Sequence, residues 1–330
     1  MTPETGPARE EGATASGTGP AAGNGGLGAR IAAAVSRGLA FVLAAQEADG
    51  SWTEWDLPPG PSREWATAHT GMRLAQLGPA HRPAVAEPLG RAADWLLDHR
   101  AAAGGWGYNA VVDPDADSTA QALLLLAAAG RSAPAGACAF LARHQRPDGG
   151  FATYLPSPLA GSWSRSHAEI TPIALLALRA HGGLPPDRLA DGLAWLRRAR
   201  REDGLWNSFW WSTPLVATEA ALGCLAVLGV HEPLPQWTAT DNLEAALLLS
   251  ITAAWGRAPA IERLTHALLE TQRDDGSWQC PPRLRVTDRA CDRPWELPDA
   301  GPLFADPHRL HGTAIALAAL ATATAPDPAS

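Results

Sequence analysis

Residues 39–52 read LAFVLAAQEADGSW, an apolar helical stretch that ends at Gln46 and is followed by Gly50 and Trp52. The spacing Q-x-x-x-G-x-W recurs along the chain, with Arg replacing Gln in some copies and Phe replacing Trp in one. The further copies occupy residues 93–106, 138–151, 193–206 and 264–278. A motif with fixed internal spacing that returns this often indicates a repeat protein built from one supersecondary unit.

Each position of the motif has a physical role at the end of a helix. Glycine adopts the left-handed backbone conformation that closes a helix at low steric cost. The aromatic residue folds back over that end, and the Gln or Arg side chain donates to carbonyls that the last turn leaves free. The repeat therefore predicts a series of outer helices that all end in the same kind of turn.

A second helix, rich in small and apolar residues, is predicted after each turn. Runs such as TAQALLLLAAAG and GTAIALAALATA are apolar on nearly all sides, which predicts burial on nearly all sides. Six inner helices are predicted to start near Glu64, Asp117, Ala168, Pro214, Asp241 and Arg309. This alternation predicts an all-α fold, a single α/α toroid of about six helical hairpins, with one degenerate hairpin at residues 233–256.

Composition divides the chain into one domain with two short tails. Residues 1–27 are rich in Gly, Ala, Thr and Pro and carry few large apolar side chains, so they are predicted to be a disordered tail rather than a secretory signal. Residues 28–325 form the predicted toroid, and residues 326–330 are predicted to be a disordered C-terminus. No uninterrupted apolar run reaches the ~18 residues of a membrane span, so we expect a cytoplasmic protein with at most peripheral membrane contact.

Charge and residue usage exclude several classes of function. The net charge is −8, which argues against a nucleic-acid partner. All 26 basic residues are arginine, so chemistry that needs a P-loop lysine or a Schiff-base lysine is excluded. The four cysteines are scattered without a C-x-x-C pair, which disfavours a zinc ribbon or a disulfide framework.

Three carboxyl groups, those of Asp113, Asp115 and Asp117, fall at the predicted start of the second inner helix. One interpretation is capping, because Asp and Ser at a helix N-terminus accept backbone N–H bonds. The other is acid catalysis, because neighbouring carboxyl groups repel and at least one should have a raised pKa. The residue pattern alone leaves both interpretations open.

The Q-x-x-x-G-x-W repeat, across residues 31–323, resembles the QW motif of the squalene cyclase and prenyltransferase superfamily. Residues 115–120, DADSTA, resemble the D-x-D-D-T-A motif of class II terpene cyclases. This resemblance implies a toroid that starts a carbocation cyclisation by protonating an isoprenoid, with Asp117 as the proton donor and Asp115 and Asp113 tuning it. It implies no redox cofactor, and Mg2+ only for a diphosphate substrate. Ser118 departs from the motif, whose third Asp helps hold the acid.

Other polar and aromatic residues near the predicted rim of the ring are candidates for the same site. His167 is a candidate partner of Asp117, and His311 and His308 lie before or within the last inner helix. Arginines 165, 283 and 285 are candidates to contact an anionic head group. Carbocations are stabilised by ring faces in a dry cavity, and the aromatic candidates are Trp65, Tyr108, Trp163, Phe209, Trp210, Trp211 and Trp295.

Alternative functions remain open for a chain of this length. Full-length class II cyclases carry a second α-domain, so this toroid could need a second α-domain protein or a homo-oligomer, or bind an isoprenoid without turnover. A zinc prenyltransferase would use cysteine and histidine ligands, for which Cys280, Cys291, His308 and His311 lie in the right region, but the D-x-C pair of that family is missing. Class I ionisation is disfavoured because no D-D-x-x-D cluster occurs.

Overall fold

The computed structural model describes residues 24–254 and 258–323, which fold into two concentric layers of helices. The inner layer consists of α2 (Glu64–Ala75), α4 (Ala116–Ala128), α6 (Ile170–Ala180), α8 (Leu215–Val227), α9 (Asn242–Ala254) and α11 (Leu310–Ala323). The outer layer consists of α1 (Asn24–Ala44), α3 (Arg82–Asp98), α5 (Ala137–Ala142), α7 (Pro186–Ala199) and α10 (Ala258–Thr271).

The inner helices form a closed ring. Helix α2 packs on α4, α4 on α6, α6 on α8, α8 on α9, α9 on α11, and α11 returns to α2. Their apolar composition on all sides follows from this position, because each is covered by two ring neighbours and, for most, by an outer helix. The predicted α/α toroid is confirmed, and all six inner helices begin close to their predicted starts.

The ring departs from regular alternation between α8 and α9. Residues 228–241 run as irregular chain where an outer helix would complete the pattern. Pro233 and Pro235 account for this, because proline lacks the N–H group and clashes with the preceding helical turn. The degenerate hairpin predicted for this region therefore keeps its inner helix, α9, and loses its outer one.

Three of the repeated turns connect an outer helix to a neighbouring outer helix. Gly50 has a φ of 98°, the left-handed conformation that the motif predicts. The Gln46 Nε2 atom donates to the Gly50 carbonyl at 2.8 Å and to the Pro88 carbonyl of α3 at 2.9 Å. Gln145 and Gln272 make the same pair of bonds at their own turns. The glutamine therefore links neighbouring hairpins as well as closing its own helix.

The motif aromatic joins the outer helix to the inner one. Trp52 donates its indole N–H to the Val42 carbonyl at 2.9 Å, and its backbone N–H to the Thr67 hydroxyl of α2 at 2.8 Å. The equivalent backbone bonds at the other turns are accepted by the hydroxyls of Thr119, Thr171, Thr218 and Thr313. Threonine in the first turns of the inner helices is thus part of the repeat.

The N-terminal helix extends beyond its predicted start. Helix α1 begins at Asn24, inside the predicted tail of residues 1–27, whereas residues 1–23 and the predicted C-terminal tail lie outside the described residues. By length and composition alone, residues Gly26–Ala44 of this helix could also cross a membrane. This finding differs from the prediction that no stretch of the chain is long enough to do so. One face of α1 packs on α10 and α11, which explains why the helix is apolar.

Loops that precede the inner helices form one rim of the ring. They hold two small antiparallel sheets, β1 (Glu54–Leu57) with β2 (Gly60–Ser62), and β3 (Leu284–Arg285) with β4 (Leu303–Phe304). The buried Glu54 carboxylate accepts backbone N–H bonds from His308 and Leu310 at 3.0 and 2.6 Å. This cap at the start of α11 joins the first rim loop to the last inner helix.

Candidate active site

Two cavities meet at the N-terminal ends of the inner helices. The upper cavity, about 360 Å³, lies between the rim loops, and the lower cavity, about 400 Å³, lies inside the ring of helices. Trp65, Asp117 and Trp211 line both cavities. The acid suggested by the sequence therefore stands at the junction between the two spaces.

The Asp117 carboxyl group is held at both of its oxygens. Oδ1 accepts a bond from Gln121 Nε2 at 2.8 Å, and Oδ2 accepts one from the Trp65 indole N–H at 2.9 Å. Burial raises the pKa of Asp117 above its ordinary value, although these two donors oppose the shift. The group is thus fixed in orientation, and the raised pKa shifts its equilibrium toward the protonated form that a general acid needs.

Asp115 performs the capping that the sequence left open. Its carboxyl group accepts the Ser118 backbone N–H and hydroxyl, each at 2.8 Å, at the start of α4. Burial, with the Asp117 charge adding to it, raises the pKa of Asp115 to about 8. Ser118, where the class II motif has a third Asp, therefore holds the first carboxyl. Asp113 is exposed and lines neither cavity, so its tuning role stays a prediction.

Aromatic side chains form a large part of the wall of the upper cavity. Five predicted residues line it, namely Trp65, Tyr108, Trp163, Trp210 and Trp211. Sequence reasoning missed Trp55 and Tyr154, which also line it. Trp55 has a φ of 58°, a strained conformation for a bulky residue, at the point where the register of β1 and β2 shifts. The sequence around Trp55 does not predict this conformation, because the strain comes from the pairing of two rim strands.

Three predicted site residues lie elsewhere. Phe209 stacks on His167 with ring centroids 4.1 Å apart, and both line a separate surface groove together with Trp295, which is 39% exposed. His167 is hydrogen-bonded to the Thr153 hydroxyl and the Ser162 carbonyl, not to Asp117. His167 lies three residues before α6, and both of its ring nitrogens have partners other than Asp117, so no contact supports the predicted partnership with the acid.

Of the two histidine candidates near α11, one lines a cavity and the other does not. His311 lines the lower cavity and stacks on Trp211 with ring centroids 4.8 Å apart, whereas His308 is exposed. Sequence reasoning missed His69 and Gln121, which also line the lower cavity. A signal was present, because each follows a predicted site residue by four positions and helical residues at that spacing share a face.

None of the three arginines proposed for a head group lines the upper cavity. Arg165 pairs with Asp292 at the surface, and Arg283 pairs with Asp241. Arg285 is buried and donates to backbone carbonyls of the rim. A fourth, Arg289, lines the cavity, with its guanidinium 4.7 Å from the centre of the Trp163 ring. It lies in a rim loop with no motif around it, so only the folded chain reveals it.

Known proteins match this chain by structure. No family profile and no curated protein matches the sequence. The type II terpene cyclase MstE from Scytonema has 26% identity and a TM-score of 0.76, over 89% of this chain and 98% of that chain. A crystal structure of a protein from Actinoplanes has 30% identity and a TM-score of 0.77, over 89% and 100%. This chain has the class II terpene cyclase-like toroid fold.

This cyclase-like enzyme covers different shares of the structures that it matches. The ent-copalyl diphosphate synthase from Streptomyces platensis shares the fold at 20% identity and a TM-score of 0.56, over 79% of this chain and 50% of its own length. The MstE chain, by contrast, is covered almost completely. Variants of MstE are solved with geranylgeranyl dihydroxybenzoate as substrate and with merosterolic acid A as product. A single toroid thus spans nearly the whole solved chain of one type II cyclase.

The ligands expected of a zinc prenyltransferase do not converge in the cyclase-like toroid. Within the described residues, no three or more His, Cys, Asp or Glu side chains are grouped so that they could hold a metal ion. The buried Cys280 thiol donates to the Pro281 carbonyl, and His311 is surrounded by aromatic rings. The four residues of that alternative therefore do not fit a zinc site.

Buried titratable groups predict how the stability of the toroid depends on pH. Burial raises the pKa of Glu169 to about 7 and of Asp115 to about 8, and lowers those of His69 and His167 to about 3. Between roughly pH 4 and 6.5 the two sets oppose each other. Above pH 6.5 fewer than half of the unfolded histidines keep a proton, and this fraction falls further as the pH rises, whereas the buried carboxyl groups of the folded chain keep theirs longer. The folded chain therefore holds more protons than the unfolded chain up to about pH 8.

We therefore expect the free energy of unfolding to fall as the pH rises from 6.5 to 8. Urea titrations at constant ionic strength measure it, and Glu169→Gln should flatten the slope because the amide does not titrate. A free energy that rises over this range would contradict the assignment of protonated carboxyl groups to the folded state.

Proposed function

We propose that this protein cyclises a polyprenyl chain bound in the upper cavity, with Asp117 as the general acid. One observation carries the proposal. The Asp117 carboxyl group, held by Trp65 and Gln121 and with a pKa raised by burial, opens onto a cavity walled by tryptophan and tyrosine. A protonated acid beside ring faces supplies both the proton that makes a carbocation and the surface that stabilises it.

The reaction is an isomerisation. The Asp117 proton adds to the less substituted carbon of the terminal double bond, or opens a terminal epoxide, and leaves a tertiary cation and a carboxylate. The next double bonds attack in turn, so each C–C bond formed moves the positive charge along the chain. Loss of a C–H proton at the last cation gives a neutral cyclic alkene. No electrons enter or leave, so the reaction requires no redox cofactor.

Tryptophan rings surround the path of the developing charge. Trp163 lies edge-on to Trp210 with ring centroids 5.2 Å apart, and Trp55 lies edge-on to Trp211 at 5.9 Å. Edge-to-face packing keeps each ring fixed, and a fixed ring face attracts a cation without donating a lone pair that would quench it.

We also infer that the substrate has an anionic head group, which Arg289 binds. Among the described residues no carboxylate forms an ion pair with Arg289, and its guanidinium lies over Trp163 at the cavity wall. The head group that fits is a carboxylate, as in a prenylated hydroxybenzoate, and the aromatic acid in the substrate of MstE supports it. A prenyl diphosphate is the alternative, and only that substrate would bring Mg2+ with it.

The location and partners belong to the same proposal. We propose a cytoplasmic protein that takes its lipophilic substrate from a membrane surface by peripheral contact. The support is a group of exposed apolar side chains in the rim loops, namely Val111, Leu159, Leu297 and Leu303. A second α-domain protein or a homo-oligomer stays a prediction, and the reaction above requires neither.

Product analysis tests the proposed activity. The purified protein is incubated with geranylgeranyl hydroxybenzoate, with farnesyl and geranylgeranyl diphosphates and with epoxidised polyprenes, and extracts are analysed by gas chromatography and mass spectrometry. We expect a cyclic isomer of at least one substrate from the wild type and at least about a hundredfold less of it from Asp117→Asn. A folded wild type that binds but converts none of them would favour the binding or partner-dependent alternative.

The head-group assignment makes a second prediction. Arg289→Gln should raise KM for the benzoate substrate by roughly ten- to a hundredfold, because a hydrogen bond to a charged group is worth about 1.5–3 kcal/mol. It should leave KM for an uncharged epoxidised polyprene nearly unchanged. The matched control is Arg293→Gln, since that exposed arginine pairs with Glu296 instead. Equal effects of Arg289→Gln on both substrates would contradict the assignment.

A further inference from the structure

His167 is buried between two parts of the proposed substrate site. Its ring stacks on Phe209 with the two planes 13° apart, and only 4% of its surface is exposed. Both ring nitrogens have a partner, since Nδ1 lies 2.9 Å from the Thr153 hydroxyl and Nε2 lies 3.1 Å from the Ser162 carbonyl. A histidine that is satisfied at both nitrogens without contacting Asp117 needs a role other than proton transfer to the acid.

The two partners of His167 determine which of its nitrogens carries the proton. The Ser162 carbonyl can only accept, so Nε2 must donate to it. Burial lowers the pKa of His167 to about 3, so the ring is neutral and Nδ1 has no proton. The Thr153 hydroxyl therefore donates its proton to Nδ1, and its oxygen keeps lone pairs that can accept another bond.

The Thr153 oxygen accepts that further bond from the wall of the upper cavity. Trp210 donates its indole N–H to Thr153 Oγ1 at 2.8 Å, and both residues line the cavity. The backbone of Trp210 is held separately, because its N–H donates to Glu169 Oε1 at 2.8 Å and its carbonyl accepts the Arg285 N–H at 2.7 Å. With the backbone fixed, the bond to Thr153 decides how the indole ring is turned toward the cavity.

The other nitrogen of His167 leads to the loop of the proposed head-group residue. Ser162, whose carbonyl accepts from His167, donates its backbone N–H and its hydroxyl to the Arg289 carbonyl, at 2.7 and 2.9 Å. Gly161 permits this close approach, because it has a φ of 51° and a Cβ there would lie 2.2 Å from the same carbonyl oxygen. The backbone that carries Arg289 is therefore connected to His167 through Ser162.

We propose that His167 is a positioning residue that sets where the polyprenyl chain lies against Trp210, because one hydrogen-bonded chain through its ring joins Arg289 to the aromatic wall. This inference rests on the proposed cyclisation and on Arg289 as the head-group residue. Arg289 fixes one end of the substrate, and a cation is attracted to a ring face only within about 6 Å of the ring centre. A shift of about 1 Å between the two changes how well each successive cation is stabilised, and hence where the cascade stops.

Thr153→Val tests the link to Trp210, because valine has nearly the shape of threonine and lacks the hydroxyl. With geranylgeranyl hydroxybenzoate, we expect the ratio of other cyclic products to the main wild-type product to rise at least about tenfold, while KM stays within about twofold. Thr153→Ser returns the hydroxyl and should bring this ratio back. The matched control is Thr252→Val, since that buried hydroxyl bonds within its own helix, α9.

His167→Phe removes both links and keeps a ring to stack on Phe209. The product ratio should change as in Thr153→Val, and KM for the benzoate should rise roughly two- to tenfold, the contribution of one neutral hydrogen bond. An uncharged epoxidised polyprene should show the change in products without the change in KM, because it has no head group for Arg289. A residue that only fills space would change KM for both substrates alike.

The indole N–H of Trp210 gives a readout that needs no turnover. In isotope-labelled protein its nuclear magnetic resonance signal is the indole signal that is missing from Trp210→Phe. A hydrogen-bonded proton exchanges slowly with solvent, so we expect Thr153→Val to speed this exchange by about tenfold, the contribution of one hydrogen bond. Thr252→Val should leave the exchange rate unchanged.

Several results would overturn the proposal. A wild-type product ratio or exchange rate in Thr153→Val, shown to be folded by a urea titration, would mean that the backbone alone places Trp210. An altered ratio in Thr153→Ser equal to that in Thr153→Val would mean that the hydroxyl is not responsible. Equal changes of KM for both substrates in His167→Phe would separate His167 from the head group. A wild type that forms no cyclic product would refute the cyclisation itself, and this outcome is distinguishable because the product and KM results require an active wild type.

Discussion

Replacing Asp117 with asparagine is expected to lower kcat by roughly a hundred- to ten-thousand-fold, the usual contribution of a positioned general acid. The amide has no proton acidic enough to protonate an alkene. The fold should persist, because Asp115, not Asp117, caps α4 through Ser118. Product formation by mass spectrometry gives the rate, and a urea titration confirms that the variant is folded.

Two matched variants make the result specific. Asp113→Asn removes a carboxyl group of the same cluster that is exposed and lines neither cavity, so its kcat should stay within about twofold of the wild type. Gln121→Met keeps the acid and removes one of its two donors, so the pH at which activity declines should shift while the reaction survives. Cyclic product from Asp117→Asn at the wild-type rate would move the acid to another residue.

Replacing Arg285 with alanine is expected to lower the free energy of unfolding by on the order of 3 kcal/mol and to abolish cyclisation. Its buried guanidinium donates to the carbonyls of Ser208, Phe209, Trp211 and Pro294, at 3.0–3.3 Å. Removing one side of a buried charged network leaves desolvated acceptors without partners. The segment that carries Trp210 and Trp211 would then lose the hydrogen bonds that connect it to the rim loop of Arg285.

The matched control is Arg283→Ala, two residues earlier. Arg283 pairs with Asp241 and is 23% exposed, so its charge is partly solvated and its loss should cost less than the loss of Arg285. Urea titrations measure both variants, and tryptophan fluorescence reports the packing of the cavity wall. Equal stabilities of the two variants would show that the carbonyls of the rim find other donors.

The fold could be predicted because its signals are local. Gln46, Gly50 and Trp52 lie within a short stretch of the chain. Each copy of the motif closes a helix with side chains and backbone atoms that are only a few residues apart in sequence. The apolar inner helices are equally local, since a helix apolar on all sides must be covered on all sides. The missing outer helix before α9 follows from Pro233 and Pro235 in the same way.

The residues of the candidate site also differ in whether local sequence could predict them. Asp117 and Asp115 stand in a short motif, and Trp65 begins an inner helix, so the sequence could suggest them. His167 and Phe209 also stand near helix starts, but their rings face a surface groove. A helix start fixes which residues lie near the rim, whereas the direction of a side chain depends on the rotation of the helix against its neighbours.

The sequence by itself determined the ring of hairpins, the carboxyl cluster at the start of α4 and the aromatic character of the rim. Only the tertiary structure decided that Asp117 stands between the aromatic-lined upper cavity and the lower cavity, and that Arg289 and Trp55 join the upper wall. The physical reason is distance along the chain. Repeat turns and caps are made by neighbours in sequence, whereas a cavity is made by rim loops and helices that meet only when the ring closes.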